Sequence, residues 1–171
     1  MKEEDRVAIC SQNMPQALVV DFANYANRAI SVPMYATASV QQIEYIVNDA
    51  EIEILCVGEQ VQYDNALEVI KNSKFLKHII VFDPSVDLKG ESRAMHFEDF
   101  MRLGDDQSLQ KVVKARMKAA TEDDLAIIMY TSGTTGESKG VMLPHSCLLE
   151  AMRIHDIRLT HIKRKIGRAH V

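Results

Sequence analysis

Five short apolar runs recur along the chain: "RVAIC" at Arg6–Cys10, "AISVPMY" at 29–35, "IEILCVG" at 52–58, "HIIVFD" at 78–83 and "LAIIM" at 125–129. Each is rich in β-branched or other apolar residues and bounded by polar or turn-forming ones, the pattern of a buried strand. Helix-length segments separate most of them. Pro15 suits the first turn of a helix that Asn13 can cap, and Ala17, Leu18, Phe22, Tyr25 and Ala29 follow at helical spacing. Ser39 with Gln42 makes a capping box ahead of the stripe Ile43, Ile46 and Val47. A third helix is expected over 63–72, with Ala66, Leu67 and Ile70 on one side. Strands alternating with helices need crossover connections, so the fold class is α/β: a mostly parallel sheet flanked by helices.

Beyond the fourth strand, 84–93 is polar and turn-rich, and 97–120 reads as helix with Leu109, Val112, Val113 and Met117 on one side, a surface excursion. "LAIIM" returns to the sheet and "KGVML" at 139–143 reads as a neighbouring strand. A last helix is expected over 144–159, with Leu148, Met152, His155 and Leu159 on one face.

With 171 residues, 47% of them hydrophobic, the chain suits one compact domain or a large piece of a bigger one. A net charge of -4 argues against a general nucleic-acid binder, which needs a broad basic face. No apolar run approaches the roughly 18 to 20 residues of a membrane span, and "MKEEDR" lacks the apolar core of a signal peptide, so a cytoplasmic location is expected. Cys10, Cys56 and Cys147 are dispersed and odd in number, which favours reduced thiols.

Between the last two strands stands the run "YTSGTTGESKGVMLPH" at 130–145. A connection that only had to turn could be two residues long. This one carries the hydroxyls of Thr131, Ser132, Thr134 and Thr135, the glycines Gly133, Gly136 and Gly140, and Lys139. Phosphate oxygens need convergent donors, and glycine lets backbone N–H groups approach where a side chain would obstruct them. Hydroxyls can also ligate magnesium, with Thr131 the expected ligand, and a lysine is a flexible point cation. The nucleoside-triphosphatase loop does not fit, because Ser138 precedes Lys139, Gly140 follows it, and a strand comes next. The dinucleotide fingerprint lacks its first glycine.

The run "YTSGTTGESKGVML", with "DRVAICSQNMPQ", "VPMYATASVQQIEYIVNDAEIEILCVGEQ" and "HIIVFD", resembles the adenylate-forming (AMP-binding) enzymes, and within them the long-chain acyl-CoA synthetases. Ser138 stands where proline is usual, which should loosen the loop without altering the chemistry. The resemblance implies a two-step reaction. A fatty acid carboxylate attacks the α-phosphate of ATP with magnesium present, giving acyl-adenylate and pyrophosphate, and coenzyme A then displaces AMP to form a thioester. It also implies that Thr131, Ser132, Gly133, Thr134, Thr135, Gly136 and Lys139 close over the β- and γ-phosphates.

The family's aromatic-plus-glutamate motif, hinge aspartate and lysine-bearing C-terminal domain have no match. Residues 1–164 are therefore expected to be part of an N-terminal domain, with no catalytic residue of their own and no ligase turnover alone. An exposed apolar face is expected where the remainder would pack. A stand-alone nucleotide-binding or regulatory module is the alternative. The tail "KIGRAHV" at 165–171 has no apolar period and can be spelled by AGATCGGAAGAGCACACGTC, which resembles a sequencing-library adapter, so it reads as non-native. The basic run 161–165 overlaps that tail; peripheral membrane contact is left open.

Other residues invite blander readings. His145 suits a helix start better than catalysis, and His155 suits a partly buried, satisfied position. Glu122, Asp123 and Asp124 suit a solvated turn. Tyr35 and Tyr45 suit the core more than an acyl tunnel, and His78 and His96 lack metal-ligand spacing.

Overall fold

The computed structural model describes residues 2–132 and 138–158. Seven strands form one sheet: β1 (Arg6–Cys10), β2 (Ile30–Met34), β3 (Ile54–Val57), β4 (His78–Val81), β5 (Ala94–His96), β6 (Leu125–Ser132) and β7 (Ser138–Pro144). Their order is β5-β4-β3-β1-β2-β6-β7. All neighbouring pairs are parallel except β6 with β7, which is antiparallel. The helices are α1 (Pro15–Ala26), α2 (Val40–Asp49), α3 (Gln60–Asn72), α4 (Phe97–Arg102), α5 (Gln107–Ala119) and α6 (His145–Arg158).

The core divides into two layers, as the two-residue period of a strand requires. Ala8 and Cys10 of β1 join Val32, Leu55 and Val57 beneath Ile43 and Val47 of α2 and Tyr63, Ala66 and Ile70 of α3. Val7 and Ile9 join Cys56, Ile80 and Phe82 with Val20 of α1, against Phe97 and Phe100. The chain steps from β1 to β2 through α1, then returns past β1 to β3 through α2. The loops after β1 and β3 meet where the order reverses, the usual ligand crevice of such sheets. Here they close on each other: a Cβ on Gly58 would lie 3.0 Å from Ser11 Cβ and 3.3 Å from Met14 Sδ.

The capping box of α2 is present: Gln42 N–H donates to Ser39 Oγ at 3.3 Å and Ser39 N–H to Gln42 Oε1 at 2.9 Å. Four expectations need correction. The residue ahead of α1 is Met14 rather than Asn13, and no side chain caps the helix. The stretch 97–120 is two helices, because the chain turns through Gly104 and Asp106 caps a fresh start by accepting from Ser108 N–H at 2.8 Å. His155 on α6 is exposed rather than partly buried, whereas the exposed α5 face with Leu109, Val112 and Met117 fits the surface excursion expected there. Tyr35 and Tyr45, 81% and 36% exposed, are not in the core.

Exposed apolar residues gather on β6, β7 and α6. Met129, Val141, Met142, Leu149, Met152, Ile154 and Ile157 are all exposed. Residues 165–171 lie outside the described residues, as does Leu159.

Candidate nucleotide-binding site

The hydroxyl- and glycine-rich run connects β6 to β7 as a hairpin at the carboxyl end of β6. Thr131 stands opposite Lys139 in the ladder, and Ser132 opposite Ser138. Thr131 and Lys139 are both exposed, which brings an alcohol and a cation to the two stems of one loop. Gly133, Thr134, Thr135 and Gly136 lie outside the described residues.

Gly140 belongs to the stem rather than the turn. It faces Tyr130 across the ladder. A Cβ there would come within 2.9 Å of Ile128 Cγ2 and 3.2 Å of Tyr130 Cζ, so the missing side chain makes room for the tyrosine ring.

Helix α2 braces the hairpin from the other side. Tyr45 Oη donates to the carbonyl of Ser138 at 2.9 Å, and Tyr130 Oη donates to Asp49 Oδ2 at 2.5 Å. The two tyrosine rings meet edge to face, with centroids 6.3 Å apart. Burial, helped by the bond to Asp49, pushes the Tyr130 hydroxyl well above the usual phenol range, so it remains a donor at any physiological pH. Sequence reading did not assign these anchors. The available signal was that Tyr45 and Asp49 are four residues apart and therefore share a helical face.

Between α2 and the hairpin opens a cleft of about 550 Å³, bounded by Met34, Ala38, Ile46 and Met129, with Gln42 and Thr131 as polar members. Its lining is mainly apolar and extends to the stem residues Thr131 and Ser138, so an apolar group could be held beside the hairpin stems.

In the acidic turn before β6, Glu122 and Asp123 are exposed as expected, and Asp124 alone is half-buried. Asp124 is gripped by Arg28 through Nε at 2.7 Å and Nη2 at 3.1 Å, and it also accepts from Thr121 Oγ1 at 2.9 Å. Those bonds hold its carboxyl well below the usual range. His145 N–H donates to the Asp124 carbonyl at 3.0 Å, and the His145 ring packs on the edge of Tyr25 with centroids 5.3 Å apart. Nearby, Ser31 is fully buried; its hydroxyl donates to Asp21 Oδ1 at 2.7 Å and accepts from Asn24 Nδ2 at 2.9 Å. Among the described residues, no three histidine, cysteine or acidic side chains converge as a metal site.

A parallel sheet flanked by helices and ending in an antiparallel hairpin defines an α/β protein. The AMP-binding enzyme family model matches residues 1–167, and the chain belongs to that family. It is 33% identical over 156 residues to fatty acyl-CoA synthetase B of Dictyostelium discoideum, covering 86% of this chain and 22% of that protein. It is 30% identical over 144 residues to human long-chain-fatty-acid–CoA ligase 1, covering 81% of this chain and 20% of the relative. The chain thus spans about a fifth of the length of these relatives.

Two solved structures share the fold. The long-chain-fatty-acid-CoA ligase of Archaeoglobus fulgidus superposes with a TM-score of 0.57 at 24% identity, over 85% of this chain and 26% of that one. An anthranilate CoA ligase in complex with anthranoyl-AMP does so with a TM-score of 0.65 at 19% identity, over the same shares.

Proposed function

We propose that this chain is the loop-bearing part of an ATP-dependent long-chain fatty acid–CoA ligase, acting in the cytoplasm on ATP, a fatty acid and coenzyme A. The observation that carries the reading is the placing of Thr131 and Lys139 on facing stems of the hydroxyl–glycine loop, beside an apolar cleft. Together with Ser132, Gly133, Thr134, Thr135 and Gly136, they would surround the β- and γ-phosphates. Donors fixed before reaction stabilise charge on a transferring phosphoryl group without reorganising.

Magnesium suits this donor set. It prefers oxygen ligands, keeps several waters and is commonly held jointly by protein and phosphate. Thr131 would share in holding it, and the ion would neutralise phosphate charge. Lys139 offsets further negative charge, while the exposed apolar edge of β6, β7 and α6 would pack against the remainder of a larger domain. That edge favours the ligase reading over a stand-alone nucleotide module. Residues 165–171 are proposed to be foreign to the natural protein.

The test is fatty-acid-dependent exchange of pyrophosphate into ATP by the full natural gene product, followed by thioester formation with coenzyme A. Replacing Thr131, Thr134 and Lys139 together by alanine should lower exchange at least about a hundredfold, the scale of losing preorganised charge stabilisation. Full exchange in that variant, or none with any fatty acid in the wild type, overturns the reading.

A further inference from the structure

We propose that α2 fixes the two stems of the hydroxyl–glycine run, at 130–132 and 138–140, and that Tyr45 is their positioning residue. This rests on the functional reading above and adds a residue outside the loop motif. At its base the hairpin is held by the sheet and by Ile128 and Tyr130, which pack against the core. The registered pairing of β6 with β2 is Ser31 with Ile127, near the base of β6, and β7 is the last strand of the sheet. Beyond that pair, residues 128–132 are registered against β7, out to Ser132 opposite Ser138.

Both stems are tied to one face of α2. Asp49 accepts from Tyr130 on the outgoing stem, one residue before Thr131. Tyr45 donates to the carbonyl of Ser138 on the returning stem, one residue before Lys139. The edge-to-face pair of rings, and Gly140 yielding space to Tyr130, lock the two ties together. Tyr45 touches the main chain, so its bond survives whatever side chain occupies position 138. That offsets the freedom conferred by serine there, because the carbonyl beside Lys139 is held from outside the loop. The same helix lines the cleft through Gln42 and Ile46, so loop and cleft share one wall.

Tyr45→Phe removes the hydroxyl and keeps the ring, which isolates the tie from the packing. Two measurements in the full natural gene product decide the matter. Hydrogen exchange of the amides in 131–140 should quicken while protection of β1 and β3 is unchanged. In pyrophosphate exchange, KM for magnesium-ATP should rise about threefold to tenfold, as for one lost hydrogen bond, with kcat and KM for the fatty acid unchanged. Tyr130→Phe, which cuts the other tie, should act in the same direction.

Unchanged exchange protection of 131–140 in Tyr45→Phe overturns the proposal, as does a fall in melting temperature with all kinetic constants moving together. If the wild type lacks ligase activity, the functional reading fails by itself, and hydrogen exchange still decides whether Tyr45 holds the loop.

Discussion

Gly140 lies directly across the β6–β7 ladder from Tyr130, and a single added methyl group would press on both Tyr130 and Ile128. Ile128 is β-branched and stiff at χ1, so it cannot swing clear as the end of a long side chain would. Alanine gains a little in strand propensity over glycine, and the contact at 2.9 Å outweighs it. Gly140→Ala should destabilise the fold by about 1–3 kcal/mol, the usual cost of overpacking. Chemical denaturation checks it, and the loss should shrink when Ile128 is also cut to alanine.

The Arg28–Asp124 pair ties the end of α1 to the turn before β6, and it should give the protein an acid limb. Asp124 has a native pKa below its unfolded value, because Arg28 and then Thr121 hydrogen-bond its charged form. Its contribution to stability is whole above the unfolded carboxylate value near about 3.9 and is lost as pH falls through the lower native value. Asp124→Asn should therefore melt lower than wild type at pH 7, with the gap closing as both are taken below about pH 3. Melting curves across that range test it.

Much of the sheet could be read from its apolar runs, because β1, β3 and β4 are buried in all but their first residues. The strand "RVAIC" was assigned to the residue. β5 was not read, since "AMH" is three residues at a sheet edge and too short to show a period. Asn13 looked like a cap because its type favours one, but the chain enters α1 with Met14 extended and Pro15 in the first turn. The hydroxyl–glycine run announced the loop, since only those residue types offer so many donors on so little side chain. What braces the loop did not show, because Tyr45 and Ser138 are 93 residues apart and meet only once the sheet has formed.

Thiol reactivity should single out one cysteine of three. Burial pushes the Cys10 thiol up to about 11 and the Cys56 thiol up to about 12, and both sit inside the core. Cys147 is exposed in the first turn of α6. A thiolate reagent at pH 8 should therefore modify one thiol quickly in the native protein and three after denaturation. Cys147→Ser should abolish the fast phase and leave the slow one.

Asp21 should behave in the opposite sense to Asp124. It is half-buried on α1, where burial raises its pKa and the hydroxyl of Ser31 only partly offsets that. The ionised group also pushes up the phenol of Tyr25, to about 12, after burial itself. With a native pKa above the unfolded one, Asp21 favours the folded state fully only at pH below about 3.9, and that advantage is lost as pH rises through the native value. An asparagine can still accept from Ser31, and its amide can be hydrated from the cleft of about 550 Å³ that reaches position 21. Asp21→Asn should therefore raise the melting temperature at pH 7 and leave it near wild type at pH 3.5. A variant less stable than wild type by the same margin at both pH values would mean that the carboxylate itself holds Ser31 and Asn24 in place. Ser31→Ala strips both neighbours of their shared partner and should cost about 1–3 kcal/mol, the penalty for buried polar groups left unpaired.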